Sequence, residues 1–408
     1  MVKSMRSTIV FCVLLVAMAV PAFAASRTEG RDGLITEVEI KSLPTDTLVV
    51  NATIHGADFL FVLDTGSTHS TFATEMHKWC LNDVPANHQR QLWSDEARLK
   101  LYTVIPGLAI KVGDLEWNCA GPVHCEDFRE INRSAGYVHG GILGMDFLHN
   151  YVVQIDFDLR VVRFYKSMRD IPGTRLPLTI KQSCPYVLAT YGDDLPAQFL
   201  VDTGATIGCM KKDVFLELSA DKAAAEVGSG FIPQIGGPRR ATTIVQLSTF
   251  SVGGFEHRDT RWNTATYNSL GANSLCRYVV TFDFPGRAIY LKKGRRFEAT
   301  PNWDSAGLDL FVLRGKVTVR IVDRGSPADL AGIVAGDYVV RIKDVPAAQT
   351  SVSKMRRAVA ASAGGKMSIT VERDGAEIEC VMKIPPNVSG DANVEKGRQS
   401  LSLPLNAN

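Results

Sequence analysis

The stretch that decides the fold is ADFLFVLDTGST, residues 57–68, because it occurs again 138 residues later as LPAQFLVDTGAT, residues 195–206. A second segment also recurs: LGMDFLHNYVVQIDF, residues 143–157, corresponds to LGANSLCRYVVTFDF, residues 270–284. A third and shorter match links residues 112–116 with residues 252–256. Three matches in the same order indicate an internal duplication rather than chance similarity.

Both copies have the composition of β domains. Short apolar or alternating runs rich in Val, Ile, Phe and Thr, such as residues 47–54 and 161–165, are separated by Gly, Pro and Asp. This pattern is typical of strands joined by turns. We therefore predict an all-β fold in which helix is confined to short segments, for example residues 211–218 and 220–226.

Each repeated aspartate lies where a buried strand is expected to enter a tight turn. Asp64 and Asp202 hold corresponding positions of the repeat, which predicts a pseudo-twofold site with the two carboxyls face to face. Two such carboxyls cannot both ionise at low cost, so they share one proton and titrate as a coupled pair. The ionised carboxyl can take a proton from water while the protonated one polarises a scissile carbonyl. Neither a metal ion nor a covalent intermediate is required.

Glycine and hydroxyl side chains accompany both aspartates. Gly66 and Gly204 are predicted to allow backbone torsions that other residues resist. Hydroxyl groups near the carboxyls can donate hydrogen bonds to them. The candidate donors are Thr65, Ser67, Thr68, Thr203 and Thr206.

On these residues the sequence resembles the retropepsin-like and pepsin-like aspartic proteases. Their signature is two aliphatic residues followed by Asp-Thr-Gly-Ser/Ala-Thr, with a later segment of two aliphatic residues and a glycine. That later segment corresponds to Ile142-Leu143-Gly144 and Ser269-Leu270-Gly271, although Ser269 stands where an aliphatic residue is expected. The resemblance covers residues 34–293. It implies a bilobed pair of acid-protease-like β-barrels with pseudo-twofold symmetry, Asp64 and Asp202 as the catalytic dyad, and no cofactor.

The resemblance also implies roles for neighbouring residues. Thr65 and Thr203 would link the two catalytic loops by hydrogen bonds, and mobile hairpin flaps would close over the cleft. The residues that would support the catalytic loops are Thr65, Gly66, Ser67, Thr68, Thr203, Gly204, Ala205, Thr206, Gly144 and Gly271. The candidate flaps are Trp93, Ser94, Asp95 and Glu96 in the first copy and Gly236 and Gly237 in the second.

A different pattern begins after Pro301. Residues 317–322 alternate as a strand, SPADLAG follows at residues 326–332, and a helix-like stretch, residues 352–361, precedes a hairpin at residues 368–378. This part resembles a small α+β PDZ domain of the bacterial, protease-associated kind. The resemblance implies that a peptide C-terminus adds as a strand to an open sheet edge. Its carboxylate-binding loop would consist of Gly307, Leu308, Asp309 and Leu310.

Composition excludes some classes of function. The 408 residues include 45 Lys and Arg against 43 Asp and Glu, so neither a basic nucleic-acid binder nor an acidic disordered chain is expected. The long apolar run within residues 1–24 follows Lys3 and Arg6 and ends in Ala22-Phe23-Ala24. This arrangement predicts a signal peptide rather than a membrane anchor. We expect an exported protein, periplasmic or secreted, without stable membrane insertion.

Cysteine spacing matches no zinc pattern, and the histidines lack a His-Glu-x-x-His arrangement. Cys119 and Cys125 are close enough in sequence to form a disulfide bond, which spacing alone does not decide. The predicted organisation is a signal peptide (1–24), two protease lobes (30–172 and 173–296), a PDZ domain (297–386) and a disordered polar tail (387–408).

The leading hypothesis is an exported aspartic endopeptidase whose PDZ domain recognises a substrate or a partner peptide. One alternative is a non-catalytic, peptide-binding envelope scaffold, for which the departures at Ser269 and at residues 272–274 leave room. Another alternative keeps the chemistry but pairs the lobes across two chains. Intramolecular pairing is favoured because tandem copies have a high effective concentration for each other.

Overall fold

The computed structural model describes residues 33–41, 48–76, 91–94, 99–103, 108–119, 122–129, 132, 138–192, 194–232, 240–298 and 306–385. The predicted signal peptide and polar tail lie outside these residues. The described part consists mostly of β-strands with few helices and curled sheets, which confirms the all-β prediction. None of its helices is both long and apolar enough to cross a membrane.

The strands of the first copy are β1 (Leu34–Glu39), β2 (Val49–Ile54), β3 (Ala57–Leu63), β4 (Thr71–Ala73), β5 (Gln91–Ser94), β6 (Leu99–Thr103), β7 (Leu108–Val112), β8 (Leu115–Cys119), β9 (Pro122–Glu126), β10 (His139–Leu143), β11 (Val152–Asp156) and β12 (Val161–Tyr165). Helix α1 (Met145–Leu148) follows β10, and a 3₁₀ turn (Thr74–Met76) follows β4.

The strands of the second copy are β13 (Thr174–Pro177), β14 (Thr179–Lys181), β15 (Cys184–Tyr191), β16 (Leu195–Val201), β17 (Cys209–Lys211), β18 (Ala224–Ile232), β19 (Arg240–Val252), β20 (Phe255–Ala265), β21 (Ser269–Leu270), β22 (Tyr278–Asp283) and β23 (Ala288–Lys293). Its helices are α2 (Lys212–Ala220) and α3 (Ala272–Leu275).

The C-terminal part contains β24 (Leu308–Leu313), β25 (Lys316–Asp323), β26 (Tyr338–Ile342), β27 (Val345–Pro346), β28 (Lys366–Arg373) and β29 (Ala376–Lys383). Its helices are α4 (Pro327–Leu330) and α5 (Val352–Ala360), and a 3₁₀ turn spans Ala347–Gln349. The predicted helix at residues 352–361 and the predicted hairpin at residues 368–378 are therefore confirmed.

Alternating burial explains why the apolar runs form strands. In β15, Val187, Ala189 and Tyr191 point into the core, whereas Leu188 between them is 59% exposed. A strand turns successive side chains to opposite faces, so one face is buried and the other faces solvent. One core cluster draws buried residues from both copies, and a separate cluster belongs to the C-terminal part.

One sheet is shared by the two copies. Its six strands run in the order β1-β12-β11-β22-β23-β13, so β11 of the first copy pairs antiparallel with β22 of the second. Gln154 lies opposite Thr281, its counterpart in the repeat, and donates a hydrogen bond to the Thr281 hydroxyl at 3.2 Å. The two copies thus meet through corresponding strands.

Each copy also has its own sheet. The first copy forms nine strands in the order β5-β6-β9-β4-β10-β3-β2-β7-β8. The sheet of the second copy runs β14-β15-β16-β21-β17-β20-β19-β18 and continues through β25, β26, β28 and β29 into the C-terminal part. Asp64 directly follows β3 and Asp202 directly follows β16, and each of these strands has a neighbouring strand on both sides.

The C-terminal part is joined to the second copy by strand pairing. Gly228 and Gly230 of β18 lie opposite Asp323 and Ile321 of β25. A β-carbon at Gly230 would lie 2.5 Å from the Arg320 carbonyl oxygen, so this approach requires glycine. Arg261 of β20 forms an ion pair with Asp323, and both side chains are largely buried. The two parts therefore share a continuous sheet.

One helix prediction is wrong. Helix α2 accounts for the segment predicted at residues 211–218, but the segment predicted at residues 220–226 leads into β18. Its alanine-rich composition suits a helix, yet from Ala224 onward it pairs with β19. Tertiary pairing outweighs a small helix propensity here. Cys119 on β8 and Cys125 on β9 do not form a disulfide bond with each other.

Candidate functional site

The two Asp-Thr-Gly turns lie at the ends of equivalent strands. Strand β3 pairs in parallel with β10, and β16 pairs in parallel with β21. The Asp64 amide donates to the Leu143 carbonyl at 3.0 Å, and the Asp202 amide donates to the Leu270 carbonyl at 2.9 Å. Each turn is therefore held in place by the strand that ends in the downstream Leu-Gly.

Reciprocal threonine bonds tie the two turns together. The Thr65 amide donates to the Thr203 hydroxyl at 3.0 Å, and the Thr203 amide donates to the Thr65 hydroxyl at 3.1 Å. The Thr65 hydroxyl donates to the Val201 carbonyl at 2.5 Å, and the Thr203 hydroxyl donates to the Leu63 carbonyl at 2.7 Å. Both threonines are 2% exposed, so these four bonds are shielded from water.

The turns face each other so closely that only glycine fits after each threonine. A β-carbon at Gly66 would lie 2.6 Å from Asp202 Oδ1, and one at Gly204 would lie 2.4 Å from Asp64 Cγ. Neither glycine has a left-handed φ. The sequence-based reason for these glycines, an unusual backbone torsion, is therefore wrong, and lack of space is the actual reason.

Backbone amides, rather than hydroxyls, are the donors to the carboxyls. Gly66 donates to Asp64 Oδ1 at 2.7 Å, while Gly204 and Ala205 donate to Asp202 Oδ1 at 3.1 and 3.0 Å. The Ser67 hydroxyl instead donates to the His69 carbonyl, and the Thr68 hydroxyl contacts His69 Nδ1. The loop residue Thr206 is partly exposed.

The two carboxyls lie close together and each changes the pKa of the other. Burial raises the pKa of Asp64 above its usual range, and hydrogen bonds from Gly66 and from Asp202 partly oppose this. Burial, followed by the charge of Asp64, raises the pKa of Asp202 to about 8. Two carboxyls in such surroundings keep a proton at neutral pH. Each still retains some solvent-accessible surface, so a water molecule or a ligand can reach the pair.

A second layer of contacts supports the turns from behind. In the first copy, Asp146 accepts hydrogen bonds from the Ser70 amide at 2.9 Å and from the Ser70 hydroxyl at 2.7 Å. In the second copy, Asn273 accepts a hydrogen bond from the Gly208 amide at 3.1 Å. Gly208 corresponds to Ser70 in the repeat, and Asn273 corresponds to Asp146. An amide oxygen thus replaces a carboxylate oxygen in the same position.

The two downstream glycines and Ser269 complete this layer. A β-carbon at Gly144 would lie 2.6 Å from the His69 carbonyl oxygen, and one at Gly271 would lie 2.7 Å from the Gly208 amide. Ser269 is fully buried, like Ile142 in the first copy, and its hydroxyl accepts a hydrogen bond from the Cys209 amide at 3.1 Å. The buried Ser269 hydroxyl, which replaces an aliphatic side chain, therefore has a hydrogen-bond partner.

The candidate flaps lie only partly within the described residues. Strands β5 and β6 pair antiparallel, with Trp93 opposite Lys100 and Ser94 opposite Leu99. Asp95 and Glu96 lie outside the described residues, as do Gly236 and Gly237. The latter two fall between β18 and β19, which pair antiparallel up to Ile232 and Arg240.

Two further side chains border the carboxyl pair and were missed by sequence reasoning. The Cys184 thiol lies 3.5 Å from the Gly66 carbonyl oxygen, and burial with the charges of Asp64 and Asp202 raises its pKa to about 11. Tyr267 is 38% exposed, and burial followed by the charges of Cys209 and Asp202 raises its pKa. Neither belongs to the repeated motif, so only the folded chain identifies them as neighbours of the site.

The C-terminal part has a groove between β24 and α5. Strand β24 pairs with β25, and no other described strand covers its second edge. Helix α5 packs beside β24, and Leu310, Val352 and Val359 are buried in the same core cluster. Gly307 precedes the strand with a left-handed φ of 64°, and its β-carbon would lie 2.2 Å from Ser326 Cβ.

The predicted carboxylate-binding loop lies largely within this strand. Leu308 and Leu310 point into the core and are 4% and 1% exposed. Asp309 is on the other face, where it forms ion pairs with Arg320 and Arg356. Of the four predicted residues, only Gly307 has loop geometry. Among the described residues, no cluster of three His, Cys, Asp or Glu side chains could hold a metal ion.

Comparison with known proteins identifies the C-terminal part. A family model for the PDZ domain matches residues 318–373, from within β25 to the end of β28. The chain therefore contains a PDZ domain, which is a protein-interaction module and suggests peptide partners. The match lies inside the predicted range of 297–386 and begins at residue 318, so β24 and the predicted carboxylate-binding loop precede it. No curated protein matches the chain.

The buried threonine bonds should be important for stability. Thr65→Val removes the donor to the Val201 carbonyl and the acceptor of the Thr203 amide. Each buried group left without a partner costs about 1–3 kcal/mol, so we expect unfolding free energy to fall by about 2–6 kcal/mol in urea denaturation. Thr65→Ser keeps the hydroxyl and should cost about 1 kcal/mol. Equal stability of the two variants would contradict the role of the hydroxyl.

The carboxyl pair should make stability depend on pH. Because the folded-state pKa of Asp202 is raised to about 8, the native chain keeps a proton that the unfolded chain releases above about pH 4. The pair therefore costs stability increasingly as pH rises from about 4 to 8. Asp202→Asn should raise the melting temperature at pH 7.5 by several degrees and change it little at pH 4. Parallel pH profiles for both proteins would refute the shared proton.

Proposed function

We propose that the chain is an aspartic endopeptidase that hydrolyses peptide bonds with a water molecule activated by Asp64 and Asp202. The observation that carries the proposal is the reciprocal bonding of Thr65 and Thr203, which brings two buried carboxyls into hydrogen-bonding contact. Two buried carboxyls placed side by side repel each other when both are ionised. Such an arrangement costs stability and is therefore expected at a functional site.

The chemistry follows from one proton on two carboxyls. The ionised carboxyl takes a proton from a water molecule held between the pair, and the oxygen of that water attacks the scissile carbonyl carbon. The protonated carboxyl donates a hydrogen bond to the carbonyl oxygen and stabilises the tetrahedral intermediate. As the intermediate collapses, the carboxyl that took the water proton passes it to the leaving amine, and the C–N bond breaks. The amides of Gly66, Gly204 and Ala205 hold the carboxyls in position throughout.

The proposal includes a bilobed, pseudo-twofold arrangement within one chain. It is supported by the equivalent strand frameworks behind Asp64 and Asp202 and by the pairing of β11 with β22 around Gln154 and Thr281. Pairing of the two copies within a chain also removes the need for a second chain.

Substrate and location are part of the same proposal. The substrates would be extended peptides or unfolded proteins that lie across the carboxyl pair under the hairpins β5–β6 and β18–β19. The PDZ domain would recognise a substrate or a partner peptide. Residues 1–24 would direct export to the periplasm or the exterior.

The runner-up is a non-catalytic peptide-binding scaffold. Its sequence argument is that the second copy departs from the first at Ser269 and at residues 272–274, where the first copy has Met145-Asp146-Phe147. Asn273 accepts a bond from the Gly208 amide as Asp146 does from the Ser70 amide, and the Ser269 hydroxyl has a partner in the Cys209 amide. These residues therefore give the scaffold hypothesis little support.

Cleavage of an unfolded protein distinguishes the endopeptidase from the non-catalytic scaffold. We expect the purified chain to cleave casein, and Asp64→Asn or Asp202→Asn to reduce the rate by about a thousandfold or more, measured by mass spectrometry of the products. A matched control is Asp194→Asn, because Asp194 is an exposed aspartate in the same copy. Pepstatin should inhibit the wild-type chain. Cleavage that persists in a folded Asp64→Asn variant would refute the mechanism, and a folded wild-type chain inactive from pH 3 to 8 would favour the scaffold.

A further inference from the structure

Two arginines, one on β25 and one on α5, share the carboxylate of Asp309 on β24. Arg320 of β25 donates to Asp309 Oδ2, and Arg356 of α5 lies 3.4 Å from Asp309 Oδ1. The arginine side chains are 17% and 19% exposed, so both guanidinium groups are largely removed from water. The cluster carries a net charge of +1 in a region of low polarity. Such a cluster favours an additional anion.

Arg356 occupies a position that a bound strand would need. Its Nη2 donates to the Leu310 carbonyl at 2.5 Å, so this carbonyl faces α5 and the uncovered edge of β24. A peptide that adds to this edge forms its own backbone hydrogen bonds with β24. The peptide amide and the Arg356 guanidinium therefore compete for the same carbonyl oxygen.

The guanidinium of Arg356 has an unused donor. Its Nε is buried and has no hydrogen-bond partner. Burial and the charge of Arg320 lower the pKa of Arg356, whereas Asp309 only partly compensates. A ligand that displaced Arg356 from Leu310 without supplying an acceptor would leave a buried cation with still fewer partners, which is costly.

We propose that the groove between β24 and α5 selects extended peptides with an acidic side chain, which pairs with Arg356 while the peptide backbone takes over the Leu310 carbonyl. This inference rests on the peptide-binding role of the PDZ domain and does not depend on peptide-bond cleavage. Arg320 also lies over the Phe311 ring, with its Cζ 6.0 Å from the ring centroid. Because Arg320 remains paired with Asp309, Arg356 can leave Asp309 to bind the peptide. Arg356 is therefore a specificity-determining residue for the bound peptide.

The test measures peptide affinity in the full chain. The Asp202→Asn background prevents cleavage of the probes, and fluorescence anisotropy measures binding of a library of labelled C-terminal peptides in which each Glu or Asp has a Gln or Asn counterpart. Among the peptides that bind, we expect one internal position at which the peptide with Glu binds at least tenfold more tightly than the same peptide with Gln. Arg356→Gln should reduce this ratio to about twofold or less. Arg356→Glu should reverse the preference, so that the Gln peptide binds more tightly than its Glu counterpart.

Controls separate the role of Arg356 from general effects. Arg357→Gln removes an exposed charge from the same helix and should leave the Glu-to-Gln ratio unchanged. Arg356→Met keeps the apolar stem of the side chain and should lose the ratio while retaining the melting temperature. Binding without an acidic preference, or an equal effect of Arg357→Gln, would overturn the inference but leave the peptide-binding role intact. A library without any binder would overturn both, and neither result bears on casein cleavage.

Discussion

The hydrogen bonds between Thr65 and Thr203 are the constraint on which the site depends. Each hydroxyl accepts a bond from the amide of the other threonine and donates to a carbonyl of the opposite strand, so neither turn can shift alone. This contact places Gly66 against Asp202 and Gly204 against Asp64 with no room for a β-carbon. The result is a pair of carboxyls that repel each other unless they share a proton.

The duplicated framework has diverged but keeps one backbone hydrogen bond behind each turn. Asp146 and Asn273 both accept a hydrogen bond from the backbone amide behind their Asp-Thr-Gly turn, although one side chain is a carboxyl and the other an amide. Ile142 and Ser269 both lie in the buried strand next to the turn, and the Ser269 hydroxyl accepts a bond from the Cys209 amide. The change from Asp146 to Asn273 is tolerated because an amide oxygen can accept the same backbone hydrogen as a carboxylate oxygen, and the change from Ile142 to Ser269 is tolerated because the new hydroxyl has a partner.

The sequence predicted the parts of this architecture that depend on local pattern. The repeat predicted both Asp-Thr-Gly turns, and alternation predicted strands such as β12 and the hairpin β28–β29. The helix expected at residues 220–226 is wrong because pairing with β19 decides the conformation of β18, and pairing partners are not visible in a local window. The same limit explains why Cys184 and Tyr267 were missed, since they approach the carboxyls only through the fold. It also explains why Arg356 received no role, because its contacts with Asp309 and Leu310 join distant parts of the chain.

The PDZ domain is continuous with the sheet of the second copy through β18 and β25, so the PDZ domain and the carboxyl pair belong to one connected structure.

The central claim is that Asp64 and Asp202 form a single pair that shares one proton at neutral pH. Carbon-13 NMR of the labelled aspartate carboxyls, assigned with Asp64→Asn and Asp202→Asn, measures this most directly. The account predicts that the pair retains one proton from about pH 5 to 7 and loses it near pH 8. Two carboxyls that are both fully ionised at pH 6 in the folded chain would contradict it.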